Sequence, residues 1–239
     1  MRRKTTCYNI VMNASTFIVA LMAGVLPSLV WLWFWIREDS HPEPKWLISV
    51  TFLGGFLAVI ASIFAERYVA GFNFETGMQY TLWAGVEELF KFVAVAIIAL
   101  NSDFNDEPID AMVYCVVVAL GFAALENAFF LFQPIMGGAI AESIVTGNMR
   151  FIGATLVHLV SSASIGFALG YVFYKGYFAK IVATIVGLVT AITLHSAFNL
   201  SIINGTTSDT LKTFAWIWGA VVLLIILFEE IKVVKPQVS

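Results

Sequence analysis

Seven apolar stretches recur along the 239 residues, each long enough to approach or cross ~30 Å of hydrocarbon at 1.5 Å per residue. They run over approximately 14–36, 46–66, 80–100, 111–132, 151–173, 181–203 and 211–228, separated by short polar breaks. Each is about twice as long as a membrane strand and lacks period-two alternation, so the pattern predicts helices and not a barrel. Hydrophobic residues make up 60% of the chain and charged residues 12%, about half the charged share of an ordinary soluble domain. The expected fold class is an all-α membrane protein: a polytopic bundle of about seven transmembrane helices, forming a single domain over 1–239.

The breaks at 37–45 (REDSHPEPK) and 101–110 (NSDFNDEPID) are rich in charge and proline and must lie in water. On the other side of the alternation fall 71–79, 133–149 and 204–209, and the middle one reads as a short re-entrant or surface segment. Arg2, Arg3 and Lys4 precede the first run as in a secretory signal, but 14–36 is too long for a signal core and reads as a membrane anchor. Lys and Arg fall six to each side (Arg2, Arg3, Lys4, Arg67, Arg150, Lys212 against Arg37, Lys45, Lys175, Lys180, Lys232, Lys235), so charge bias leaves orientation undecided. With a formal net charge of -3 and no basic stripe, nucleic acid is excluded as a partner. Cys7 and Cys115 form neither a CxxC pair nor a disulfide framework. Trp31, Trp33 and Trp35 read as an interfacial belt, Gly166 and Gly170 as sites of close helix packing, and Asn204-Gly205-Thr206 is a glycosylation sequon.

An ionised side chain at the bilayer centre costs ~2.5 kcal/mol or more, so charges inside the runs need a reason. They are Glu87, Glu88 and Lys91 in the third run (VEELFK), Glu126 with Asn127 in the fourth, His158 in the fifth, and His195 with Asn199 in the sixth (HSAFN). Counting from the nearer helix end at 1.5 Å per residue, and alternating helix direction, all four groups lie ~9–12 Å below one membrane face.

Two adjacent carboxylates in low dielectric cannot both ionise cheaply unless Lys91 or a metal compensates, and such a carboxyl suits a general base. His158, His195 and a Glu could hold zinc, or the imidazoles could polarise a carbonyl with the Asn199 amide as oxyanion donor. Lys91 also reads as a plain charge partner of Glu87 or Glu88, Asn127 as an interhelical hydrogen-bonding residue, and His158 alone as a packing residue.

These residues resemble the PrsW intramembrane proteases, relatives of the CAAX prenyl endopeptidase and bacteriocin-processing superfamily. The resemblance runs from the third helix to the sixth, an active-site core of 80–203. It is carried by EExxK (Glu87, Glu88, Lys91), FxxxEN (Phe122, Glu126, Asn127), Arg150 with His158, and HxxxN (His195, Asn199). It implies an intramembrane endopeptidase in a prokaryotic cell membrane, cutting a membrane-anchored protein such as an anti-sigma factor. Glu87, Glu88, Glu126, His158, His195 and Asn199 are then the expected catalytic residues, with Lys91, Asn127 and Arg150 supporting. Glu126, His158 and His195 are the metal-ligand set to expect if zinc takes part. No HExxH motif is present, which excludes a zinc-protease site of that type. A proton- or metal-coupled transporter would also bury Glu and His, but calls for an internal repeat that the sequence lacks. Two histidines as axial haem ligands are the third reading.

Overall fold

Long apolar runs leave the backbone no polar partner but itself, and the computed structural model, which describes residues 14–37, 41–203 and 205–236, contains helices and no strand among those residues. The basic triplet Arg2, Arg3 and Lys4, Cys7 and the sequon Asn204 lie outside them. The order is α1 (Ala14–Arg37), α2 (Lys45–Ala70), α3 (Thr76–Val95, continued by a wide π turn Ala96–Leu100), α4 (Asp110–Met136), α5 (Ile140–Met149), a second π turn (Arg150–Ala154), α6 (Thr155–Tyr171), α7 (Tyr177–Ile203) and α8 (Thr207–Lys232). Six spans are long and apolar enough to cross a membrane, with α5 and α6 counted as one continuous span. The seventh, α3, falls below that apolarity because Glu87, Glu88 and Lys91 lie within it. The chain is an integral membrane protein.

α4 is apolar on every side, so it sits where every side is covered, packed against α1, α2 and α6. Bare backbone lets the helices close on it. A Cβ on Gly121 would overlap the Phe52 carbonyl, and one on Gly55 the Val118 carbonyl. Gly166 against Met112 and Gly170 against Pro108 bring α6 to the start of α4 in the same way, as their spacing predicts.

Three expectations change. Trp31 and Trp35 do not form a belt: being four apart they share the inner face of α1, where Trp35 is 1% exposed and packs on Phe228 at 5.2 Å and Trp31 packs on Trp218 at 6.0 Å. Trp33, on the opposite face, is exposed and carries the Arg37 guanidinium over its ring. Arg150, tallied on one membrane face and also expected to support the site, folds into the bundle against Glu126, because a carboxylate inside the protein attracts it more than the interface does. The segment 133–149 divides: α4 continues to Met136, a turn at Gly137 and Gly138 follows, and α5 has no buried residue while running directly into α6.

Candidate active site

The charged residues of four helices meet at the end of the bundle where α2 finishes, α3 begins and α7 turns into α8. There they border a cavity of about 560 Å³. Glu87, Glu126, Arg150, His158, His195 and Asn199 all contribute to its wall. Glu88 and Lys91 lie behind that wall, fully buried. Seven of the sequence-predicted site residues thus form one connected set around Glu87 and His158, Asn127 joins it through Arg150, and Asn199 lies on the cavity wall, half-buried, one turn beyond His195.

The two adjacent glutamates have different surroundings, because consecutive helical positions point about 100° apart. Glu88 is saturated: Oε1 takes Lys91 Nζ at 2.6 Å and lies 2.8 Å from His195 Nδ1, while Oε2 accepts from Ser162 Oγ at 2.9 Å. Lys91 is likewise spent, 3.1 Å from His158 Nδ1 and 4.7 Å from the centre of the Phe122 ring. A buried ion pair survives only when its remaining polar atoms are satisfied in this way. Glu87 is on the cavity side, and its Oε2 is buried without a hydrogen-bond partner. That oxygen lies 3.8 Å from His158 Nδ1 and 3.7 Å from His195 Nε2.

Ring orientations follow from these partners. The Glu88 carboxylate can only accept, so His195 carries its proton on Nδ1 and turns the Nε2 lone pair toward Glu87. Lys91 donates to His158 Nδ1, which leaves His158 Nε2 to donate to Glu126 Oε2 at 2.9 Å. Glu126 is further held by the Arg150 guanidinium. The same arginine donates from Nε to Asn127 Oδ1 at 2.5 Å and stacks on Phe130 at 3.9 Å, while Asn127 Nδ2 donates to Thr155 Oγ1 at 3.0 Å. Asn127 therefore links helices, as its sequence position suggests, and also places Arg150.

Among the described residues, the group able to hold a metal ion is Glu87, His158 and His195, with one ligand atom from each within 4.8 Å of the others. It differs from the expected set by one carboxylate: Glu87 stands in place of Glu126, whose Oε2 is held by Arg150 and His158 Nε2. The donor set fits: an orphaned buried oxygen of Glu87 faces an imidazole lone pair of His195. His158 joins as a ligand only by releasing Lys91 or Glu126. The two imidazoles meet edge to face with centroids 4.8 Å apart, too close to flank a haem plane.

One cavity carboxylate escaped the sequence reading. Glu66 lies on the wall and interacts with Glu87. It was passed over because the second apolar run ends there, but the helix continues to Ala70. The helical character of ERYVA is the signal that places it inside. Ser162 gave no such signal, since serines are common in membrane helices.

The description that matches this chain is "PrsW family intramembrane metalloprotease", over residues 43–228. Similar proteins include Protease PrsW of Geobacillus kaustophilus, 31% identical over 157 residues, which is 63% of this chain and 65% of that one, just under two thirds of its length. Protease PrsW of Oceanobacillus iheyensis is 29% identical over 80% of this chain and 86% of its own. Protease PrsW of Bacillus subtilis is 24% identical over 75% and 80%. No solved structure matches the chain.

Proposed function

From the premise that this chain belongs to the PrsW family of intramembrane metalloproteases of bacterial membranes, we propose that it hydrolyses a peptide bond in or next to the membrane segment of a membrane-anchored protein, of which an anti-sigma factor is one example. The observation that carries the reading is Glu87 Oε2: a buried, unpartnered carboxylate oxygen on a cavity wall, facing two imidazoles across gaps of 3.7 and 3.8 Å.

A water molecule entering the cavity donates a hydrogen bond to Glu87 Oε2. Glu87 takes its proton as the water oxygen attacks the scissile carbonyl carbon. Negative charge gathers on the former carbonyl oxygen, toward which the Asn199 side-chain amide can donate. When the C–N bond breaks, the proton held by Glu87 passes to the leaving amine. Glu88, Lys91 and Ser162 keep His195 oriented, and Arg150 with Asn127 keeps Glu126 on His158. Glu87, His195 and a ring nitrogen of His158 are also the residues that would hold a zinc ion, a one-carboxylate, two-imidazole set of the kind zinc takes, and with zinc bound there Glu87 would act as a ligand in place of its role as base. Bound there, zinc would supply Lewis acidity toward the water and the carbonyl.

The test is cleavage of a single-span reporter by the purified protein in liposomes. Glu87→Gln and His195→Ala are expected to abolish the product band while retaining the elution profile of the folded protein. Undiminished cleavage by Glu87→Gln would sink the mechanism.

A further inference from the structure

We propose that Glu66, with Tyr80 and Trp83, forms a subsite for a cationic side chain, so that the enzyme selects a Lys or Arg beside the scissile bond. The inference rests on the protease reading and adds a substrate class to it.

Charge bookkeeping around the cavity leads there. Three acids line it, Glu66, Glu87 and Glu126, and Arg150 is committed to Glu126, Asn127 and the Phe130 face. Lys91, behind the wall, is committed to Glu88 and His158. Among the described residues no ion pair joins Glu66 or Glu87 to a lysine or arginine, and the chain neighbour Arg67 is exposed. Glu66 and Glu87 instead hydrogen-bond each other, which needs one proton between the two carboxyls and leaves the corner one negative charge with no cationic partner among the described residues.

The walls beside Glu66 suit a cation. Tyr80 and Trp83 also line the cavity, meeting edge to face with ring centroids 5.0 Å apart. Trp83 Nε1 donates to the Glu66 carbonyl at 3.2 Å, which fixes the indole against this turn of α2. A carboxylate sharing a cavity wall with two electron-rich rings is a setting in which a guanidinium or ammonium group can gain both an ion pair and a cation–π contact. Depth agrees. Glu66 precedes the end of α2 by four residues, or ~6 Å along the axis, within reach of a lysine or arginine snorkelling from the membrane surface. Much of the remaining wall is apolar and aromatic, with Phe122, Phe129, Phe198 and Phe214 on it, and offers an apolar segment a place in the same cavity as that cation.

The experiment uses three single-span reporter peptides identical except for Lys, Met or Glu flanking the membrane segment, the Lys and Met pair compared throughout and the Glu peptide with Glu66→Lys, measured for binding and for kcat/KM with the full-length protein. Wild type is expected to prefer the Lys reporter by about 10-fold or more in both, in keeping with hydrogen bonds to charged groups. Glu66→Gln brings the ratio close to one, Glu66→Asp keeps part of it, and Glu66→Lys favours a Glu reporter. Equal binding of the two reporters by wild type overturns the subsite, whether or not they are cut. So does a Glu66→Gln variant that weakens both reporters alike, as expected if Glu66 served only to neutralise or position Glu87. Lys-selective binding with no cleavage supports the subsite and counts against the protease reading instead.

Discussion

His195 Nδ1 lies 2.8 Å from Glu88 Oε1, and through that contact a carboxylate with no access to the cavity decides which nitrogen of His195 faces it. In the proposed mechanism Glu88 orients and Glu87 reacts, although the two are neighbours in the chain.

The first prediction separates them. Glu87→Gln removes the proposed base and is expected to lower kcat by ~10²-fold or more, as loss of a general base does, while thermal unfolding of the metal-free protein stays near wild type because glutamine can still donate to Glu66 and the Oε2 it replaces has no partner. Glu88→Gln removes the counter-charge of Lys91, which is fully buried. Breaking such a pair costs ~3–5 kcal/mol, so the variant should unfold at distinctly lower temperature in detergent.

Ser162 supplies the second. Ser162→Ala deletes one hydrogen bond to the Glu88 carboxylate, worth ~1.5–3 kcal/mol for a charged acceptor. A drop in unfolding temperature together with a smaller loss of kcat than Glu87→Gln is expected. A wild-type melting curve would contradict the contact.

Metal binding gives the third. Adding zinc to metal-stripped protein should raise the unfolding temperature of wild type, since a ligand that binds only the folded state stabilises it. The rise should vanish in Glu87→Gln and His195→Ala and persist in Asn127→Ala, which lies outside the ligand group.

Helix packing provides the fourth. Gly121→Val would drive a side chain into the Phe52 carbonyl on α2. Overpacking of this kind costs ~1–3 kcal/mol or more, and here the obstacle is backbone, which cannot rotate aside. Loss of the monodisperse peak on size exclusion is the expected result, whereas Gly219→Ala, with nothing near its Cβ position, should behave as wild type.

The length of seven apolar runs was enough to predict the bundle, and the positions of Glu87, Glu126, His158 and His195 within them were enough to predict a shared depth. Rise per residue is nearly constant in a helix, so chain position converts to depth without knowledge of neighbours. The same reasoning ended Glu66's helix a turn too soon, because apolarity stops at the interface while the helical backbone continues to Ala70. It also placed Trp35 and Arg150 toward the membrane surface, where composition puts such residues on average, although α1 packs one inside and Glu126 draws in the other.

Hydropathy and position along the chain dictated which residues share a layer of the membrane. Which of them touch was decided by how each helix is turned about its own axis. That turn depends on long-range packing, on glycines such as Gly55 and Gly121 that let α2 and α4 close together, and no local pattern encodes it. A rotation of ~100° about α3 exchanges Glu87 for Glu88 at the cavity wall, and only the contacts of the folded bundle favour one over the other.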